Sequence, residues 1–184
     1  MFSFHEAYES EETVYAYLRE MVKIAQSYGV QLYHENEKKI FGDTVERVLK
    51  IRDHVEGLKF VYDPANYLEV GEDSAYSLNT LHGITDYFHI KDVIRETGEL
   101  VPAGCGDGRI GELVARIGDD EEKVLTLEPH LAIFHGYAEI DGSEMKNKFC
   151  FATNDEAFDA AVTALKKVLA EQGYQEKDGG FSRV

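Results

Sequence analysis

Cysteine is scarce in this chain: Cys105 and Cys150 are the only two among 184 residues. Two thiols without a secretory leader do not make a disulfide framework, and both are expected free in a reducing cytosol. Positive charge is also thin. Nineteen Lys and Arg stand against 35 Asp and Glu, a net charge of −16. A phosphate backbone needs a Lys- and Arg-rich surface, so nucleic acid is not an expected partner. No apolar run approaches the ~18 residues that a membrane span needs, so no membrane partner is expected. No basic and apolar leader precedes the first helix, and the expected location is cytoplasmic. What is present is 43% hydrophobic and 29% charged, an ordinary balance for one globular domain with its own core. The acid is spread along the chain, as on a solvated surface.

Four segments share one form, a short apolar strand with reactive side chains at its tip. They are Val30-Gln31-Leu32-Tyr33-His34-Glu35, Leu58-Lys59-Phe60-Val61-Tyr62-Asp63, Tyr87-Phe88-His89-Ile90-Lys91-Asp92 and Val124-Leu125-Thr126-Leu127-Glu128. Strands this rich in apolar and aromatic residues suit a sheet covered on both faces. Charged groups at their ends are costly to bury unless they bind something.

Between the strands, apolar residues recur at helical spacing over 12–28, from Thr44 to Gly57, over 74–83 and over 109–117. Asp43 or Thr44 is the expected cap of the second of these helices. A last helix is expected over 154–172, capped by Asn154. The segments 63–72 and 91–108 are expected as loops, and the end after Gly173 as a frayed tail. Phe2-Ser3-Phe4 reads as the end of a strand. Strands alternating with helices imply parallel βαβ units, hence an α/β fold. Short strand-to-helix loops place Glu35, Asp63, His89 and Glu128 on the carboxyl edge of one sheet, where α/β folds bind ligands.

Three converging carboxylates repel one another, and a divalent cation removes that repulsion. Carboxylate oxygens with one imidazole suit Mn²⁺, Co²⁺, Mg²⁺ or Zn²⁺ rather than a thiolate-loving metal. Such an ion polarises a hydroxyl and an adjacent carbonyl as a Lewis acid. Two glutamates on opposite sides of the neighbouring carbon can then remove and return its proton, the chemistry of epimerases and aldose–ketose isomerases.

The motifs His34-Glu35-Asn36-Glu37, Tyr62-Asp63-Pro64-Ala65-Asn66, His89-Ile90-Lys91-Asp92, Gly104-Cys105-Gly106-Asp107-Gly108 and Leu127-Glu128-Pro129-His130 resemble, in order and spacing, the sugar phosphate isomerase/epimerase family of xylose-isomerase-like TIM barrels. The resemblance spans roughly residues 2–173. It implies a metal-dependent isomerase or epimerase of a small sugar or sugar phosphate, with a role in carbohydrate metabolism. It implies Glu35, Asp63, His89 and Glu128 as metal ligands, with Glu35 and Glu128 doubling as the acid–base pair. It also implies a (β/α)8 barrel of about 250 residues. The match runs from about helix four through strand and helix eight, so a partial, N-terminally truncated barrel over 1–173 with a tail over 174–184 is expected. Such a barrel should form a homo-oligomer or associate with a missing N-terminal half, because it exposes strand edges. The alternative is a non-catalytic remnant that binds metal or a partner. A relative acting at abasic sites in DNA uses a His where Asn66 stands and an Asp-x-His within 100–109, which contains no His.

Several positions keep two readings. Glu37 competes with Glu35 for the ligand slot, because strand alternation points both to one side. Asp63 before Pro64 also fits a simple turn. Lys91 and Asp92 fit either an ion pair or substrate contacts. Asn66 fits either a sugar hydroxyl or a turn. His34 and His130 are expected to support the ligands from behind. The glycine-rich stretch 104–108 resembles a phosphate-cradling turn but is read as a mobile lid.

Overall fold

The computed structural model describes residues 10–118, 122–132, 146–147, 149 and 151–184. The chain divides into two units, Met1–Phe88 and His89–Val184. The expected strand end at Phe2-Ser3-Phe4, most of the segment after Ala132 up to Phe151, and Cys150 lie outside the described residues.

In the first unit, α1 spans Glu11–Ser27 and buries Val14, Tyr15, Leu18 and Val22 on one stripe. Ser10 caps it by accepting from the Thr13 N–H at 3.2 Å. Strand β1 (Tyr33–Glu35) pairs in parallel with β2 (Lys59–Tyr62). Between them α2 (Val45–His54) starts at Thr44, whose hydroxyl accepts from the Arg47 N–H at 3.3 Å. Helices α1 and α2 are joined by Tyr15 stacked on His54 at 4.5 Å and by Arg19 donating to the His54 carbonyl at 3.1 Å. After β2 come α3 (Pro64–Glu69), α4 (Ser74–Leu81) and a 3₁₀ turn over His82–Ile84. Strand β3 (Tyr87–Ile90) then runs parallel to β2, with Tyr87 opposite Val61.

Helix α3 falls where a loop was expected. Asp63 caps it and Pro64 takes its first position, where the missing N–H is no loss and the fixed φ suits a helix. Asp-Pro also opens turns, so the dipeptide alone does not separate the two outcomes.

In the second unit, β4 (Asp92–Ile94) and β5 (Glu99–Val101) form an antiparallel hairpin, and β7 (Lys146–Asn147) pairs with β5. These strands are too short for alternation to show in sequence. Helix α5 covers Ile110–Ala115, one residue after Arg109, whose backbone is left-handed at φ 56°. Strand β6 (Val124–Leu127) follows. Helix α6 (Asn154–Glu171) is capped by Thr153 rather than Asn154. The Thr153 hydroxyl accepts from the Glu156 N–H at 3.1 Å, and the Glu156 carboxylate accepts from the Ala152 N–H at 3.2 Å. This reciprocal pattern closes both sides of the helix start.

The expected frayed tail is a hairpin of β8 (Tyr174–Lys177) and β9 (Gly180–Arg183). Tyr174 donates to the Ile117 carbonyl at 3.1 Å and Arg183 to the Ala115 carbonyl at 3.2 Å, which ties the hairpin to its unit.

The main sheet has the hydrogen-bonded order β1-β2-β3-β6. Among the described residues it is open, as part of a parallel barrel would be. The α/β fold and partial TIM barrel expected from the sequence are therefore observed.

Gly42 marks how tightly the first unit is packed. Its φ is +115°, and a Cβ there would lie 2.3 Å from Cε1 of His34 and 3.0 Å from Cδ1 of Ile51. Both neighbours are fully buried. Gly42→Ala is expected to destabilise the protein by about 2–4 kcal/mol, from overpacking and the left-handed backbone together. A urea unfolding midpoint unchanged by the substitution would contradict this.

Candidate functional site

The first unit presents two acids at the ends of neighbouring strands. Glu35 is the last residue of β1 and is 7% exposed; Asp63 follows β2 directly and is 0% exposed. Asn36 ties the two strand ends together. Its side-chain amide donates to the Asp63 carbonyl at 2.9 Å and accepts from the Asp63 N–H at 2.8 Å. The Asp63 carboxylate uses Oδ1 to accept from the Ala65 and Asn66 N–H groups at 2.9 and 3.2 Å. The helix cap thus fixes the carboxylate, with Oδ2 as the candidate donor to an ion. Asp63 is thus a helix cap, and capping leaves its Oδ2 as the candidate ligand atom. The clamp by Asn36 was not anticipated. An amide one residue past a strand tip was the available signal.

Glu35 and Glu37 separate by position. Strand β1 ends at Glu35, so alternation no longer governs Glu37. Glu37 accepts from the neighbouring Lys38 N–H at 2.8 Å and is only partly buried. Glu35 holds the buried strand end.

Beside Glu35, His34 is 0% exposed, with its ring 6.3 Å from that of Phe60. Burial, foremost, lowers its pKa from 6.5 to about 3, so the imidazole is neutral. It supports the strand end by packing.

In the second unit, Glu128 collects three cationic or potentially cationic partners. Its Oε2 lies 3.4 Å from Nδ1 of His89, 3.6 Å from Nζ of Lys91 and 3.9 Å from Nε2 of His130. Burial works to raise the Glu128 carboxyl, but His89, Lys91 and His130 together outweigh it and hold the pKa at about 2. Glu128 is therefore a carboxylate at neutral pH, the form that binds a metal or accepts a proton. Its backbone N–H donates to the Ile90 carbonyl at 3.3 Å, which brings the end of β6 beside the end of β3. Lys91 is 5% exposed and faces this carboxylate. His130 has a left-handed backbone, φ 46°, a conformation uncommon for a residue with a Cβ and one that persists only where surroundings enforce it.

Asp92 does something different. Its Oδ2 accepts from the N–H groups of Gly104 and Gly106 at 2.9 and 3.0 Å. Its Oδ1 accepts from Gly108 and Val93 at 2.9 and 3.0 Å. Burial raises its pKa, and these four donors pull against that effect. A Cβ on Gly106 would lie 2.5 Å from the Asp92 carboxylate and 2.6 Å from the Val93 carbonyl. The glycine-rich stretch is thus wrapped around Asp92 and pinned to it, where a mobile lid was expected. Cys105 in that stretch is free and exposed.

The family described as xylose isomerase-like TIM barrel matches residues 3–143, well over half of the chain. This chain belongs to that family. Three solved structures show the same fold. A D-allulose 3-epimerase from Methylomonas sp. is 16% identical, with a TM-score of 0.64 over 90% of this chain and 59% of that one. The IOLI protein with a bound zinc atom is 18% identical, with a TM-score of 0.62 over 92% and 61%. A xylose isomerase-like TIM barrel protein from Mycobacterium smegmatis in complex with magnesium is 12% identical, with a TM-score of 0.52 over 84% and 51%. The chain therefore spans about half to three fifths of the length of these relatives. No curated protein matches it. Among the described residues, no helix is long and apolar enough to cross a membrane.

Two predictions arise here. The folded His34 has a pKa below its ordinary value, so the unfolded chain takes up a proton first as pH falls. Its contribution to stability is full above pH 6.5 and is lost between 6.5 and about 3. In His34→Phe, the loss of urea midpoint between about pH 7 and about pH 4.5 is expected to shrink relative to wild type; an unchanged loss would contradict the assignment. Asp92→Ala strips four N–H groups of their acceptor, two of them buried and two part-buried, and should cost about 2 kcal/mol or more. Faster hydrogen exchange at Gly104, Gly106 and Gly108, read by NMR, is the specific mark of that loss. Unchanged exchange there would exclude the pinning role.

Proposed function

We propose that this chain carries the metal-binding and proton-transfer part of a divalent-metal-dependent isomerase or epimerase acting on a small sugar or sugar phosphate. The observation that carries this reading is positional. Strands β1, β2, β3 and β6 are successive in one sheet, and Glu35, Asp63, His89 and Glu128 stand at or beside their carboxyl ends. Glu35 and Asp63 in the first unit and His89 and Glu128 in the second each offer an atom of a kind that ligates a metal ion. Three carboxylates and one imidazole fit Mn²⁺, Co²⁺, Mg²⁺ or Zn²⁺. The zinc and the magnesium in two proteins of similar fold support a metal, and the epimerase among them supports the reaction class.

The bound ion would supply Lewis-acid polarisation of a carbonyl and its neighbouring hydroxyl. The protein's part is to hold and move a proton. Glu35 and Glu128 are the acid–base pair, one removing the proton next to the carbonyl and the other returning it. Lys91 holds Glu128 in its ionised form. Asn66 is 1% exposed, and neither atom of its side-chain amide has a hydrogen-bond partner among the described residues. An enclosed amide of this kind is costly unless met, and a substrate hydroxyl would meet it. Asp92 serves the site by fixing the backbone next to Lys91. The expected setting is the cytoplasm. The expected assembly is a homo-oligomer or a pairing with the complementary half of the barrel.

The second reading is a remnant that binds metal without turnover. Elemental analysis decides first. About one Mn, Co, Mg or Zn per chain is expected in the wild type and none in His89→Ala; a wild type that takes up no metal on titration overturns the reading. Ketose isomer interconversion lost in Glu128→Gln then separates the enzyme from the remnant. Metal uptake with no interconversion by the wild type supports the remnant.

A further inference from the structure

Beside Glu128, on the α6 side, lies a cleft of about 330 Å³. That size is within the ~300–1,000 Å³ typical of small-molecule sites. Its polar lining includes Glu128 and His130, the two ends of the strained turn after β6. Its apolar lining includes Leu127, Leu131, Ala157 and Phe158. Leu131 and Ala157 belong to a buried apolar cluster against which Leu127 packs, so this wall is part of the unit's core. Phe158 is 54% exposed, a large aromatic ring left open to solvent at the start of α6.

The charge of the lining matters as much as its shape. Among the described residues, none lining the cleft is Lys or Arg. Nearby, the Lys91 ammonium and the imidazoles of His89 and His130 already face the Glu128 carboxylate. The first turn of α6 carries Asp155 and Glu156, so negative charge stands where the helix dipole would otherwise favour a phosphate. Among the described residues, the lining offers a phosphorylated tail no Lys or Arg, and its one imidazole, His130, already faces Glu128. An apolar tail finds a preformed wall.

We propose that this cleft binds an apolar substituent of the substrate, an alkyl or aryl group attached to the hydroxy-carbonyl head, and selects against a phosphorylated one. The proposal rests on the metal-dependent reading for the position of the head group, since Glu128 is shared by both.

The test uses the full chain and three probes with one α-hydroxyketone head: dihydroxyacetone, dihydroxyacetone phosphate and 1-hydroxy-4-phenylbutan-2-one. Affinities are measured by calorimetry, with and without Mn²⁺. The phenyl-bearing probe is expected to bind ~10-fold or more tighter than dihydroxyacetone, through the apolar area it removes from water. The phosphorylated probe is expected to gain nothing. Phe158→Ala, at an exposed position, should lower the phenyl advantage severalfold at an unchanged melting temperature. Ala157→Leu should abolish it by filling the cleft, and a melting curve accompanies that variant because Ala157 is buried. Equal affinities for the phenyl-bearing and plain probes, tighter binding of the phosphorylated one, or a phenyl advantage untouched by Phe158→Ala would each overturn the proposal. A phenyl advantage that persists in a protein taking up no Mn²⁺ would defeat the metal-dependent reading and leave the cleft standing. Mn²⁺ uptake without any phenyl advantage would do the reverse.

Discussion

A carboxylate taken out of water must be met by donors or by positive charge, and three carboxylates set much of what this chain does locally. Asp63 is met by the N–H groups of Ala65 and Asn66 at the start of α3. Asp92 is met by four N–H groups, three of them from glycines. Glu128 is met by two imidazoles and an ammonium. Each solution shapes its surroundings differently. The first builds a helix start, the second shapes a loop and the third assembles a charged cluster.

The differences have chemical consequences. Backbone donors are neutral and fixed, so Asp63 and Asp92 hold position with little freedom to rearrange. Cationic side chains favour the ionised carboxylate far more strongly, which is why Glu128 sits at a pKa of about 2 while burial raises that of Asp92. Of Asp92 and Glu128, only Glu128 is held below the usual carboxylate range. Asp92 is enclosed by main chain and has its oxygens committed to holding the glycine-rich stretch in place. Its neighbour Lys91 emerges from that fixed backbone toward Glu128, so the loop and the reactive cluster share one support.

The strand tips were legible in the sequence because apolar runs ending in acid and imidazole are rare without a cause. Strands β3 and β6 fall where the pattern placed them, since both are apolar runs bounded by clear breaks. The hairpin of β4 and β5 was not legible, because three-residue strands carry almost no periodic signal. Helix α3 was missed because Asp63-Pro64 begins a turn and a helix with the same dipeptide. The cap of α6 moved from Asn154 to Thr153 because the Glu156 side chain completes a reciprocal pair around Thr153, and such a pair depends on backbone placement. The lid reading of the glycine-rich stretch failed for a related reason. Composition shows that the stretch can bend; only the position of Asp92 shows that it is held.

The turn after β6 answers two demands at once. Glu128 must face His89 and Lys91, while Leu131, three residues later, is 1% exposed in an apolar cluster. Pro129 has a fixed φ and cannot supply the reversal that a left-handed residue gives. That conformation therefore falls on His130, at a cost of order 1 kcal/mol or more. Asn or Gly would adopt it more easily. The backbone alone does not explain a histidine there, but its Nε2 lies 3.9 Å from the Glu128 carboxylate. The imidazole adds to the charge that keeps Glu128 ionised, and the side chain also lines the cleft beside it. At this position one side chain thus combines a left-handed turn, a place in the cleft wall and a position near the Glu128 carboxylate.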